Sequence, residues 1–307
     1  MDVIQRKPQN YAIHTSPAHD LRLAECEVPK LQPDECLVHV RATGICGSDV
    51  HFWKHGHIGP MIVTGDNGLG HESAGLVIQV GEAVTRFKPE WLWNVEFLAQ
   101  NQHALSAALV DIMPAQMLSG LRLADPLVIC GAGPIGLVTL LAANAAGAEP
   151  IVITDIDENR LAKAKELVPR VHPIHVRKQE SPQDLAARIV EELGQEAKLV
   201  LECTGVESSI HAGIYATRFG GMVFVIGVGK DFQNIPFMHM SAKEIDLRFQ
   251  YRYHDIYPKA ISLVAAGMID LKPLVSHRFK LEDGLAAFDT ASNPGARAIK
   301  VQIVDDE

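Results

Sequence analysis

Two rhythms of apolar and polar positions divide the chain. Up to about residue 90, short β-like runs such as "CLVHVRATG" and "SAGLVIQVG" are separated by Gly, Pro and Asp, which predicts an all-β or mixed domain. From residue 119 to about 258, strand-length apolar runs alternate with helical patterns: "PLVICGAG", "PIGLVTLLAANAAG", "PIVITDID", "ENRLAKAKELV", "DLAARIVEEL", "AKLVLECTG", "SIHAGIYATRFGG" and "MVFVIGVG". Strand and helix taking turns imply parallel strands joined by crossover helices, the doubly wound arrangement of an α/β protein. The last stretch, "LVSHRFKLEDGLAAFDTASNPGARAIKVQIV", predicts a strand, a helix and a strand that return to the first domain. The expected boundaries are 1–118, 119–271 and 272–307.

The run from Pro126 to Ala148 carries no charge and is long enough to raise the question of a membrane span. Four glycines, a proline and an asparagine interrupt it, so it reads instead as a buried strand, loop and helix. Composition agrees: 47% apolar and 21% charged residues in 307 suffice for two domains with real cores. A formal charge of −9 without any Lys/Arg run argues against nucleic acid or an anionic membrane as partner, and a small neutral or cationic ligand fits better. The five cysteines are sparse and odd in number, and no apolar signal segment follows the first methionine. Both features point to a reducing, cytoplasmic setting in which cysteine serves as core residue or metal ligand.

Candidate chemistry sits in each half. "VICGAGPIG" sets Gly131, Gly133 and Gly136 in G-x-G-x-x-G spacing, with Pro134 and Ile135 opening the helix after a β run. The first glycine allows the tight turn, the second lets backbone approach a pyrophosphate, and the third lets helix pack on strand; the helix N-terminus then receives the anion. Asp155 closes the next strand 19 residues after Gly136, where an acid accepts hydrogen bonds from a ribose 2′-hydroxyl and repels a 2′-phosphate. NAD is therefore expected over NADP. In the first domain, "TGICGSDVHFW" is followed by "GHESAG", 25 residues after Cys46. Cys46, His71 and Glu72 offer sulfur, nitrogen and oxygen donors of the kind zinc takes in catalytic sites, with a fourth position left for water or substrate. Adjacent residues of a regular strand point to opposite faces, which makes Glu72 the weakest of the three.

"TGICGSDVH", "GHESAG", "VICGAGPIG" and "ECTG", in this order, resemble the zinc-dependent medium-chain dehydrogenases, and "GDNGLGHESAG" with "QYRYHDIYP" resembles their polyol branch. The resemblance implies a GroES-like, mainly β catalytic domain beside a Rossmann domain, one catalytic Zn2+, NAD, and oxidation of a secondary alcohol of a small-molecule polyol such as L-arabinitol, xylitol or sorbitol. It also implies a homo-oligomer. By motif match Cys46, His71 and Glu72 bind the zinc, Ser48 and His51 belong to a proton relay, and Arg252 and Tyr253 face the substrate. A hydroxyl can pass a proton and imidazole titrates near neutrality, which suits the relay. Arg160 is placed to lie over the adenosine end of the cofactor, or simply on the helix surface.

The resemblance breaks at residue 90. After "RFKP" the family continues with Gly-Asp-Arg-Val and a cysteine-rich lobe that holds a structural zinc, whereas here "EWLWNVEFLAQNQH" follows, with two of the chain's three tryptophans. Permitted codons for Glu90 to Gln116, read from the third base of each, can encode four cysteines in C-x4-C-x2-C-x7-C order. Residues 90–117 are therefore expected to be that lobe translated out of frame, with about 50 family residues missing before "SGLRLADPLVICG". Two function classes follow: an NAD-dependent polyol dehydrogenase, or a folded cofactor-binding remnant without turnover.

Overall fold

A computed structural model describes residues 9–89, 120–250 and 257–305. They form two compact units, one comprising the residues up to Pro89 together with those from Leu274 onward, the other those from Gly120 to Pro273. The expected boundary at 118–119, the stretch 90–117, Arg252 and Tyr253 lie outside the described residues.

In the first unit, β1 (Tyr11–Thr15) pairs antiparallel with β2 (Leu21–Glu25) on one side and with the short strand Asn67–Gly68 on the other. Strand β3 (Cys36–Gly44) is the whole of "CLVHVRATG" and leads into helix α1 (Gly47–His55), which ends on Gly56 in the left-handed region at φ 72°. Strand β4 (Glu72–Val80) lies antiparallel on β3, with Gly44 opposite Glu72.

The second unit is a six-stranded parallel sheet. Its strands are β5 (Leu127–Cys130), β6 (Ile151–Asp155), β7 (His172–His175), β8 (Ala197–Glu202), β9 (Thr217–Val225) and β10 (Asp246–Phe249), in the spatial order β7-β6-β5-β8-β9-β10. Helices α2 (Pro134–Ala145), α3 (Glu158–Leu167), α4 (Pro182–Leu193) and α5 (Glu207–Ala216) make the crossovers. Their starts are written locally: Asp157 accepts from Asn159 N, Ser181 accepts from Asp184 N, and Pro134 and Pro182 occupy first-turn positions where no amide donor is needed. The uncharged run 126–148 resolves into β5, a turn and α2, whose residues Gly136 to Ala143 are all buried. Among the described residues no helix is long and apolar enough to cross a membrane. Strand β9 begins at Thr217, five residues before the expected "MVFVIGVG", with a break in its pairing to β8 between Ala197 and Leu199.

The chain then returns to the first unit. Strands β11 (Val275–Lys280) and β12 (Lys300–Val304) run parallel to each other with helix α6 (Gly284–Ser292) between them, and β12 pairs antiparallel with β3. The four-stranded order is β11-β12-β3-β4. Its core joins Ala287 and Phe288 of α6 to Ile13, Ile45, Val301 and Ile303, and Trp53 meets the Phe288 ring edge-on at 6.2 Å. This packing brings β12 beside the bend that carries Cys46: Ile45 N donates to Val301 O at 2.9 Å.

Candidate active site

Cys46, His71 and Glu72 converge: one donor atom from each lies within 4.8 Å of the other two. Their chemistry, a sulfur, an imidazole nitrogen and a carboxylate oxygen, is a zinc donor set. The concern over adjacent residues does not apply, because His71 precedes β4 and only Glu72 obeys the alternation of the strand. Glu72 fits because its cross-strand partner is Gly44; a Cβ there would come within 2.3 Å of Glu72 Oε2.

Two residues that the sequence reasoning left without a role hold these donors in place. Asp49, only 2% exposed, sits in the first turn of α1 and reaches in both directions. Its Oδ2 accepts from Cys46 N at 2.9 Å, while Oδ1 accepts from Gly70 N at 3.0 Å and meets His71 Nδ1 at 3.1 Å. One carboxylate thus ties the bend before α1 to the loop before β4 and directs His71 Nε2 toward the cluster. Carboxylate orientation of a ligating histidine is a general device of metal sites. His71 is pushed up to about 10, first by its hydrogen bonds to Asp49 and Cys46, against the opposing effect of burial. A metal must therefore displace a proton to bind this imidazole.

The second residue is Lys300 at the start of β12. Its Nζ donates to Glu72 Oε1 at 2.9 Å and Oε2 at 2.6 Å, and to Ile45 O at 3.3 Å. Burial pulls its ammonium down, but the charges of Glu72, Cys46 and Asp49 outweigh burial and leave it raised. The sequence signal was a charged residue opening a short, mostly apolar strand.

Ser48 and His51 stand one turn apart on α1, a spacing that puts them on one face. Ser48 Oγ and His71 Nε2 lie 3.1 Å apart, so Ser48 joins the donor cluster directly. His51 is exposed as a residue but its ring is partly covered, with its centroid 5.2 Å from that of His55. Burial first, then the neighbouring His55 and His57, hold His51 below the ordinary imidazole value.

In the second unit the glycine turn has the shape its spacing requires. Gly131 adopts φ 97°, Gly133 caps α2, and a Cβ on Gly136 would fall 1.8 Å from Gly131 O. The turn follows β5, flanked by β6 and β8, at the carboxyl ends of the strands where doubly wound sheets bind their ligands. Gly133 leaves its approach open: the nearest atom to a Cβ added there would be Arg160 Nη1 at 3.8 Å, which puts the guanidinium beside the turn. Pro134 and Ile135 are half-buried beside it. Asp155 accepts from Ala132 N at 2.6 Å and Asp157 N at 2.8 Å, and each carboxylate oxygen keeps capacity for a second donor. The residues present therefore suit a dinucleotide: an anion cradle, a cation over it and an acid at its far edge.

The chain matches the family model "Zinc-binding dehydrogenase" over residues 134–266 and "Alcohol dehydrogenase GroES-like domain" over residues 32–90. It is 46% identical to L-arabinitol 4-dehydrogenase of Aspergillus oryzae over 364 positions covering 97% of this chain and 95% of that protein. Sorbitol dehydrogenase of Homo sapiens is 36% identical over 334 positions, covering 92% and 93%. Among solved structures, 2R,3R-butanediol dehydrogenase from Bacillus subtilis superposes with a TM-score of 0.86 over 96% of this chain and 99% of that one; at 24% identity this shows the fold alone. An alignment of 364 positions exceeds the 307 residues of this chain, so at least 57 positions have no counterpart here. The GroES-like match ends at residue 90, where the tryptophan-rich stretch begins.

Proposed function

Because the chain belongs to the zinc-binding dehydrogenase family, within its polyol branch, we propose that it oxidises a secondary alcohol of an acyclic polyol to a ketose with NAD. The observation that carries this reading is the convergence of the Cys46, His71 and Glu72 donors in a chain that keeps the glycine turn and Asp155. These features favour a working dehydrogenase over a cofactor-binding remnant.

Bound zinc would supply Lewis-acid polarisation of the substrate hydroxyl, and the nicotinamide would supply the hydride acceptor. Cys46, His71 and Glu72 would hold the metal, with Asp49 orienting His71. Ser48, whose Oγ lies 3.1 Å from His71 Nε2, and His51, one turn further along α1, make up the relay that takes the hydroxyl proton outward. Arg252 and Tyr253 contact the polyol hydroxyls. Gly131, Gly133, Pro134, Ile135 and Gly136 cradle the pyrophosphate, Arg160 adds a cation, and Asp155 selects NAD over NADP.

L-arabinitol is the first substrate to test, since the relative with 46% identity acts on it by name. The outer strand β10, with Phe249 exposed on it, supports self-association as a homo-oligomer. Five free cysteines support residence in the cytoplasm. The test is NADH formation with L-arabinitol, xylitol and sorbitol, with NADP in parallel. Turnover of a polyol with NAD supports the reading; a zinc-loaded chain that reduces NAD with none of the three overturns it.

A further inference from the structure

Away from the donor cluster, the first unit assembles a second group of reactive side chains that the dehydrogenase reaction does not use. Cys26, His14 and Asp66 come from three neighbouring segments of one sheet: the residue after β2, the penultimate residue of β1, and the residue before the short strand Asn67–Gly68. His14 Nε2 lies 3.3 Å from Cys26 Sγ, and His14 Nδ1 lies 2.9 Å from Asp66 Oδ1.

The sheet explains how such distant positions meet. His14 pairs with Arg22 and Ala12 with Ala24, so His14 and Cys26 project from the same face with only methyl side chains between them. The imidazole extends along that gap and past Gly68, where an added Cβ would stand 3.7 Å from Nε2. Neither the long separation in sequence nor the strand pattern announces this contact.

The order of groups defines a direction for the proton. Asp66, acceptor only when ionised, fixes the His14 proton on Nδ1 and leaves Nε2 as the acceptor for the Cys26 thiol. Asp66 also receives Arg22, which pairs with Asp20, and Asp20 accepts from Ser16. These are the charged groups that face the histidine. A thiolate is the nucleophilic form of cysteine, and a neighbouring imidazole that takes its proton raises the thiolate population. The arrangement does not suit acyl transfer: the Cys26 amide is committed to Asn10 O at 2.7 Å and cannot stabilise an oxyanion.

The other cysteines lack this setting. Cys130 is buried, and burial together with the charge of Glu202 pushes its thiol up to about 12; Cys203 is raised by the same causes. Cys46 belongs to the metal cluster. Cys36 is half-buried like Cys26, but among the described residues no histidine bonds it.

We propose that Cys26 is a reactive thiol, activated by His14 and Asp66, that forms mixed disulfides with small-molecule disulfides. In the step, Cys26 Sγ passes its proton to His14 Nε2 and attacks one sulfur of the incoming disulfide. A new S–S bond forms, the original S–S bond breaks, and the second sulfur leaves with the electron pair and takes the proton from His14. Cys26 is oxidised and the departing thiol is the reduced product, so the exchange needs no further oxidant.

The test uses the full, zinc-loaded chain with glutathione disulfide as probe, followed by peptide mapping of the adduct over time. Cys26 is expected to be modified at least about tenfold faster than Cys36. His14→Gln should bring Cys26 down to the rate of Cys36, and Asp66→Asn should slow it severalfold. Circular dichroism and zinc content, unchanged in both variants, show that the fold and the donor cluster persist. Equal rates at Cys26 and Cys36 in the parent chain overturn the proposal. So does an unaltered Cys26 rate in a folded His14→Gln chain. Iodoacetamide gives a second reading, since an alkylating agent reports thiolate character without any disulfide: the same ranking is expected, and its absence contradicts the activation.

Discussion

Lys300 Nζ meets both carboxylate oxygens of Glu72, at 2.9 and 2.6 Å, and both side chains are only 4% exposed. The contact joins the first residue of β12 to the first residue of β4, 228 positions apart in sequence, and holds the oxygen donor of the cluster through both of its oxygens. Removing one member of a buried pair strands the other charge, which costs about 3–5 kcal/mol in general. Lys300→Met should therefore destabilise the metal-free chain by an amount of that order, measured by urea unfolding. Zinc gives Glu72 another positive partner, so the loss should be smaller in the metal-loaded chain. An equal loss with and without zinc would mean that Glu72 does not face the metal.

Asp49 holds both donor loops with one carboxylate. Asp49→Asn keeps the shape but weakens the bond to His71 Nδ1 and surrenders one acceptor. Changes to such supporting groups typically lower metal affinity by about 10–100-fold. Competition with a chelator should register a loss in that range, while thermal unfolding of the metal-free chain moves far less than in Lys300→Met. Unchanged zinc affinity would remove Asp49 from its supporting role.

Asp155 is tied to Ala132 N and Asp157 N at the edge of the glycine turn. Asp155→Ser removes the charge that a 2′-phosphate would meet. The ratio of NAD to NADP affinity should narrow, read by titrating each cofactor against intrinsic fluorescence. Equal affinities in the parent chain would refute the assignment outright.

His51 is held below the ordinary imidazole value by burial and by His55 and His57. A base depressed in the folded state adds stability that is fully present above its unfolded value, about 6.5, and is lost as pH falls through the lower folded value. Nuclear magnetic resonance titration of the His51 ring should show a midpoint below 6.5, and His51→Gln should flatten the decline of stability over the same acidic range. A midpoint at or above 6.5 would contradict the account.

What could be read from the chain depended on whether the signal was local. "CLVHVRATG" is strand β3 residue for residue, because its β-branched residues and the flanking turn residues mark a strand locally even though two register shifts interrupt its pairing with β4. The glycine turn was equally legible, since Gly131 and Gly136 answer steric demands within six residues. Strand β9 starts earlier than "MVFVIGVG" because "TRFGG" continues the helical pattern of "SIHAGIYA" without punctuation; its first pair, Thr217 with Ala197, is separated from the rest by a break in register. Asp49 had no role legible in the sequence, since its partners Gly70 and His71 lie more than twenty positions away. Lys300 could not be paired with Glu72 without knowing that β12 lies beside β3. The contact of Ser48 Oγ with His71 Nε2 was likewise invisible, because it joins α1 to the loop before β4, 23 positions away.

The most direct test of the central claim is NADH formation from L-arabinitol by the zinc-loaded chain beside its Cys46→Ser counterpart. The claim is that the Cys46, His71 and Glu72 cluster holds the metal on which NAD-linked polyol oxidation depends. The account predicts measurable turnover in the parent and a loss of at least about a hundredfold in Cys46→Ser, with NAD still bound, since the glycine turn is untouched. Equal rates in the two chains, or no turnover in a parent that holds zinc and binds NAD, would contradict it.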